Sequence, residues 1–167
     1  MKNKKAAIII VNWNGKKFLK NCLSSVYNQT YKNFDVYFVD NGSNDDSIAF
    51  VKKSFPKVKI IKLDKNYGFA KGNNEGIKEA FKDKNIEYIV CLNNDTIVDK
   101  NWLKELVKTA EKSKKIGATQ SKVILADLKT IHSVGTIILE DFSSESKGYG
   151  EDKNKYNKDE EIEAGIG

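Results

Sequence analysis

Four short polar clusters each follow an apolar run directly, and they hold most of the residues in this chain whose types and spacing suit chemistry. Asn12-Trp13-Asn14-Gly15 follows the run 6–11, and Asp40-Asn41-Gly42-Ser43 follows 35–39. Asn66-Tyr67-Gly68-Phe69-Ala70-Lys71-Gly72-Asn73-Asn74 follows 58–63, and Asn93-Asn94-Asp95-Thr96 follows 88–92. Asp40 suits the edge of a nucleobase, which it meets as a hydrogen-bond acceptor, with Gly42 leaving room beside it. The same residues also make a plain turn, since Asn-Gly supplies positive φ angles and Ser43 or Asn44 caps a following helix. Lys71, Asn73 and Asn74 fall in the first turns of a predicted helix, where free amides and the helix dipole favour a phosphate. Gly68, Gly72 and Gly76, four residues apart, share one face of that helix and allow close packing. Asn93-Asn94-Asp95 places three oxygen-bearing side chains at a strand end. That suits a hard divalent cation that keeps several waters and shares a diphosphate, or else a capped turn. Neither the G-x-G-x-x-G nor the G-x-x-x-x-G-K-[ST] pattern occurs, so a dinucleotide fold and a P-loop are unsupported. His132, alone in its segment, reads as structural.

The elements that position these clusters alternate. The continuous apolar run 6–11 suits a strand covered on both faces, and residues 17–27 then put Phe18, Leu19, Cys22, Leu23 and Val26 on one helical face. Strands are predicted at 35–39, 58–63 and 88–92, and helices at 47–55 and 69–81, the former with Asp45 and Asp46 at its positive end. Asn101 caps a helix carrying Leu103, Leu106, Val107 and Ala110 on one face, and a further strand is expected at 118–125. Strands alternating with helices predict an α/β fold, a mostly parallel sheet with helices on both faces. Ligands of such sheets bind at the carboxyl ends of the strands, so all four clusters should meet on one rim. After residue 126 the pattern changes: 133–139 suits a strand, 140–163 is polar and aperiodic and reads as loop, and small apolar residues return at 164–167. The expected organisation is a ligand-binding α/β domain over 1–125 and a loop-rich, incomplete region over 126–167, the chain being cut from something longer.

Composition narrows the classes. The chain has 167 residues, with 40% hydrophobic and 31% charged, a globular balance. No apolar run approaches the roughly 20 residues that cross a bilayer, and the basic start at 1–5 meets too short an apolar run for a signal peptide, so a cytoplasmic location is expected. The net charge is +6, and all 29 basic residues are lysines. Nucleic-acid recognition usually wants arginine forks and a basic stripe, whereas these lysines are scattered among acids. No nucleic-acid partner is expected; a weak attraction for anionic substrates or for the anionic inner face of a membrane is the milder consequence. Cys22 and Cys91 lie far apart in apolar surroundings and read as buried, reduced thiols.

Taken in order, the segments Ile8-Ile9-Ile10-Val11-Asn12-Trp13-Asn14, Leu23 to Tyr31, Val39-Asp40-Asn41-Gly42-Ser43, Asn66 to Gly76, and Leu92-Asn93-Asn94-Asp95-Thr96 with Trp102-Leu103 resemble the nucleotide-sugar half of the family-2 glycosyltransferases of GT-A fold. The resemblance runs over about residues 6–125. It implies an inverting transfer of sugar from a nucleotide diphosphate to an acceptor hydroxyl, saccharide or lipid-linked, assisted by Mg²⁺ or Mn²⁺, in glycan or cell-surface polysaccharide synthesis. It further implies a donor site of Val11, Asn12, Asn14, Asp40, Asn41, Gly42, Ser43, Asn66, Gly68, Lys71, Asn73, Asn74, Asn93 and Asn94. Asp40 matches the family's base-contacting aspartate and Asp95 the metal position of its DXD segment. Two positions depart from the common pattern: Asn93 replaces the first acid of DXD, and Asn73 stands where many members have arginine. Both variants resemble a rhamnosyltransferase-like branch, which puts dTDP-rhamnose beside UDP-sugars as donor. No residue matches the family's general base, expected beyond Gly167. A receiver-like module would need paired acids where Asn12-Trp13-Asn14 stands, and a sugar nucleotidyltransferase a glycine-rich loop there. A nucleotide-sugar-binding domain without transferase activity remains the alternative.

Overall fold

The computed structural model describes residues 4–165, so Met1–Asn3 of the basic start, and Ile166 and Gly167 of the returning apolar segment, lie outside the described residues. The described chain falls into two compact units, one up to Lys104 and one from Glu105.

In the first unit the elements alternate in chain order. They are β1 (Lys5–Asn12), α1 (Lys16–Tyr27), β2 (Phe34–Asn41), α2 (Ser47–Ser54), β3 (Lys59–Leu63), α3 (Phe69–Ala80) and β4 (Ile86–Asn93), and α4 (Trp102–Ala110) begins at the unit's end. The four strands form one parallel sheet in the order β3-β2-β1-β4. Parallel neighbours need a crossover, and the helices between the strands supply it. β1 is central. Its Ala7 and Ile9 join Tyr37, Val39 and Ala80 in a core cluster on the α3 side, with Val11, Ile61, Leu63 and Ile77 packed against it. Ala6, Ile8, Ile10, Val36 and Phe38 alternate onto the opposite face and are as fully buried. Both faces are therefore covered, as the unbroken apolar run of β1 predicts.

At the end of the sheet opposite the polar clusters, the Lys5 ammonium pairs with Asp35 at 2.9 Å and Asp83 at 2.8 Å, and Lys59 pairs with Asp35 at 2.8 Å. The Lys5 ammonium holds Asp83 down to about 2, helped by bonds from Asn85. Burial of Asp35 works against its charge, yet the bonds from Lys5 and Lys59 outweigh it and lower that carboxyl too.

The second unit departs from the expected pattern. The strand predicted at 118–125 is only β5 (Val123–Ile124), and it pairs antiparallel with β6 (Ile131–Ser133). The strand predicted at 133–139 is broken at Gly135, whose φ of +145° no other residue adopts easily. Beyond it, β7 (Thr136–Ile138), inside that predicted strand, pairs antiparallel with β8 (Ser144–Ser146), which lies in the stretch read as loop. Ala164 makes one isolated bridge to Thr136. The His132 ring stands edge-on to Tyr149, 6.1 Å between centroids.

One further expectation needs correcting. Cys91 is exposed, because β4 lies at the edge of the described sheet; its thiol is still raised by partial burial. Cys22 is buried as expected, and burial followed by the negative charge of Asp95 pushes its thiol up to about 12. Among the described residues no helix is long and apolar enough to cross a membrane.

Candidate functional site

All four clusters sit at the carboxyl ends of β1 to β4, and side-chain hydrogen bonds join them directly. Asn12, the last residue of β1, pairs in register with Asp40 of β2, while Val11 pairs with Asn93 of β4. The central strand thus ends between the carboxylate and the Asn93-Asn94-Asp95 segment. The Asn12 amide is 1% exposed. It donates to the Ser43 hydroxyl at 3.1 Å and accepts from the Asn94 amide at 2.7 Å.

Asp40 is fully buried. One carboxylate oxygen accepts from the Ser43 amide at 3.1 Å; the other, Oδ1, has no hydrogen-bond partner among the described residues. Buried polar atoms are nearly always satisfied, so this bare carboxylate oxygen is an exception at the rim. Gly42 does not leave room for a ligand. With φ at +76°, a Cβ there would lie 2.5 Å from the Lys65 backbone, so the glycine lets the chain pass the third cluster closely. Nor does Ser43 cap α2. Its hydroxyl accepts from the Asn12 side chain and the Asn14 amide, while Asp45 accepts from the Ser47 amide at 3.2 Å and the Lys16 amide at 2.8 Å. Burial opposes the charge of Asp45, but the bonds from Ser47 and Lys16 lower its carboxyl overall. Asn14, at φ +50°, accepts from the Asn44 amide at 2.9 Å.

The third cluster is fastened by Asn41. Its amide donates to Asn66 Oδ1 and the Gly68 carbonyl and accepts from the Tyr67 amide, at 3.0–3.1 Å. Of the three spaced glycines only two pack. A Cβ at Gly72 would lie 2.7 Å from Val11 and one at Gly76 2.5 Å from Ile9, whereas Gly68 faces open space and is needed for its φ of +83° at the start of α3. Lys71 and Asn74 are exposed, and the Lys71 ammonium rests 3.8 Å from the centre of the Tyr67 ring. Asn73 is nearly buried and donates to the Phe69 carbonyl at 3.1 Å.

Asn93 and Asp95 are exposed. The segment that carries them is held by a residue of α1 and one just past its end, neither given a role in the sequence. Ser25 accepts from the Val98 amide at 3.1 Å, and fully buried Gln29 donates to the Asp99 carbonyl at 2.6 Å and accepts from the Leu103 amide at 2.9 Å. A polar residue just past the end of an apolar helical face, as Gln29 is, carries the available signal. Trp13, between Asn12 and Asn14, is 57% exposed. No group of three His, Cys, Asp or Glu that would enclose a metal exists among the described residues. A lone exposed carboxylate fits a cation whose remaining ligands come from a diphosphate and water, and does not fit a closed protein cage.

The profile of Glycosyl transferase family 2 matches residues 7–159. The chain belongs to this family. Among curated relatives, the poly-beta-1,6-N-acetyl-D-glucosamine synthase of Staphylococcus epidermidis is 29% identical over 114 residues, covering 67% of this chain and 27% of that protein. An uncharacterized glycosyltransferase of Haemophilus influenzae is 28% identical over 118 residues, 69% of this chain and 35% of that protein. The chain therefore spans about a quarter to a third of the length of these relatives. Among solved structures, S. aureus TarS 1–349 superposes with a TM-score of 0.59 at 21% identity, over 75% of this chain and 40% of that one. TarS 1–349 in complex with UDP-GlcNAc gives 0.58 at 23%, over 74% and 41%. A mannosyltransferase from Pyrobaculum calidifontis in complex with GDP-Man and Mn²⁺ gives 0.54 at 17%, over 64% and 32%. These likenesses establish the GT-A type of fold for this family member.

Proposed function

We propose that the protein containing this chain is an inverting glycosyltransferase that moves a sugar from a UDP- or dTDP-sugar to a saccharide or lipid-linked acceptor hydroxyl during polysaccharide synthesis. The observation that carries the donor half of this reading is the bare Oδ1 of fully buried Asp40 at the rim. Uracil and thymine both present a ring N–H that suits it. The relative named for poly-N-acetylglucosamine synthesis and the TarS structures with UDP and UDP-GlcNAc support a UDP-sugar. Asn73 and Asn93 favour keeping dTDP-rhamnose beside it.

In this reading Asp40 receives the base, and exposed Trp13 lies on the same rim as a flat apolar surface for the ring. Lys71 and Asn74, exposed in the first turns of α3, meet the diphosphate. Asp95, with Asn93 beside it, would hold Mg²⁺ or Mn²⁺. A divalent cation bound there would stabilise the charge that grows on the leaving diphosphate as the glycosidic bond breaks. Asn12 and Asn41 commit their amides to the rim itself and serve the site by holding it in shape.

The test is a thermal-shift and calorimetric screen of UDP-GlcNAc, dTDP-rhamnose and GDP-mannose with and without Mn²⁺, followed by transfer assays on saccharide and lipid-linked acceptors. A uracil or thymine nucleotide should bind. Failure of all three donors to raise the melting temperature refutes the donor reading, and donor binding without transfer by the full gene product identifies a binding domain instead.

A further inference from the structure

Asn12 stands at the middle of a chain of hydrogen bonds that joins the two halves of the candidate site. The Ser43 amide donates to Asp40 Oδ2 at 3.1 Å, the Ser43 hydroxyl accepts from Asn12 Nδ2 at 3.1 Å, and Asn12 Oδ1 accepts from Asn94 Nδ2 at 2.7 Å, one residue before Asp95. With both ends of its amide engaged, the Asn12 side chain has no free polar atom to offer a donor. The neighbouring sequence makes room for this arrangement. A Cβ at Gly15 would fall 2.2 Å from Asn94 Nδ2 and 2.5 Å from Asn12 Oδ1, so any other residue there would displace the bond between them.

We propose that Asn12 is a positioning residue that couples the base-binding turn to the metal-bearing segment, so that one nucleotide diphosphate meets Asp40 and the cation at Asp95 together. The inference rests on the donor reading above and deepens it. Ahead of Asn12 the β1 side chains pack in the core or pair at the far end of the sheet, and these contacts with the backbone ladder fix strand register without fixing the turns that follow. An amide is the side chain for the task, because it donates to one turn and accepts from the other at the same time. With the bridge cut, the base turn keeps its own bond between Ser43 and Asp40. The Asn94-Asp95 turn loses its tie to β1, and the cation is no longer held where the diphosphate of a seated nucleotide arrives.

The experiment compares uridine and UDP binding by calorimetry, UDP being titrated both in Mn²⁺ and in EDTA. The proteins are the parent, Asn12→Ala, Asn94→Ala and the double variant, each checked for a cooperative melt. In the parent Mn²⁺ should tighten UDP. Asn12→Ala should bind uridine within about twofold of the parent but lose most of the Mn²⁺-dependent gain, on the order of tenfold, the usual scale of coupling between sites. Asn94→Ala, which loses only the bond to Asn12, should lose the Mn²⁺ gain alike, and the double variant should be no worse than Asn12→Ala, since the bond between the two side chains is already gone in each single variant. If Asn12→Ala keeps the full Mn²⁺ gain, or if the two substitutions add, the coupling role is overturned while the donor reading stands. If the parent binds neither uridine nor UDP, the donor reading and this role fall together. Should Asn12→Ala fail to melt cooperatively, Asn94→Ala carries the same decision, because its side chain lies at the less buried end of the bond.

Discussion

A fully buried carboxylate with one bare oxygen is held at a cost, because leaving water without a replacement bond is unfavourable by ~1–3 kcal/mol or more for a charged group. Asp40 carries that cost in the free protein. Asp40→Asn keeps the shape, keeps an oxygen for the Ser43 amide and removes the charge. It should therefore melt at the same temperature as the parent or a higher one, while binding UDP more weakly, a trade of function against stability. Paired melting curves and UDP titrations check this, and a lower melting temperature with unchanged affinity would assign Asp40 a purely structural role. At this scale the sequence showed which residues gather on the rim but not how each one is used. Asparagine serves equally as a ligand contact and as a clamp between loops, and only the geometry distinguishes exposed Asn74 from Asn12 and Asn41. Cys91 misled for a related reason: its apolar run resembles that of β1, and the pairing order that leaves β4 at an edge is not written in the run itself.

Among the elements, α3 lies against the sheet so closely that Gly72 and Gly76 leave no room for a Cβ. A Cβ on Gly76 would lie 2.5 Å from Ile9 and 2.9 Å from Val39, both in the core cluster, so Gly76→Ala should push the helix outward and cost ~1–3 kcal/mol. Gly68→Ala meets no atom within 4 Å, but its backbone, at φ +83° and ψ 171°, lies in a region essentially confined to glycine, so its cost, ~1–3 kcal/mol, is conformational. Denaturant melts of both variants, alone and combined with Ile9→Ala, separate the two causes: trimming Ile9 should relieve the cost at Gly76 and leave that at Gly68 unchanged, and equal relief at both would contradict the assignment of packing to one and conformation to the other. The opposite end of the sheet makes a prediction about pH. Asp83, ordinarily near 3.8, is held at about 2 by Lys5, so its contribution is present above pH 3.8 and is lost as pH falls through about 2. Lys5 is raised from 10.5, first by Asp35 and then by Asp83, so its own contribution is intact below pH 10.5 and disappears only in stronger alkali. Lys5→Met should therefore flatten the loss of stability between pH 4 and 2 while lowering stability at neutral pH. Melting temperatures across that range decide it. The strands and helices up to α4 were legible because each parallel strand is a continuous apolar run and each helix carries one apolar face. β5 to β8 were not, since strands of two or three residues are too short to show a period and their pairing is fixed by turns such as that at Gly135.

For the molecule as a whole, the family match over residues 7–159 takes in both compact units, whereas the residues of the candidate site all belong to the unit that ends at Lys104. That unit holds one parallel sheet with one polar rim, and the claim at the centre of this account is that the rim takes a nucleotide diphosphate with its base on Asp40 and its phosphates shared with a cation at Asp95. Calorimetric titration of UDP in Mn²⁺ and in EDTA, into the parent, Asp40→Ala and Asp95→Ala, tests it most directly. Asp40→Ala should weaken UDP by ~1–3 kcal/mol under both conditions, the scale of a lost hydrogen bond to a charged group. Asp95→Ala should match the parent in EDTA and gain nothing from Mn²⁺. UDP binding to both variants as tightly as to the parent, with Mn²⁺ present, would contradict the account.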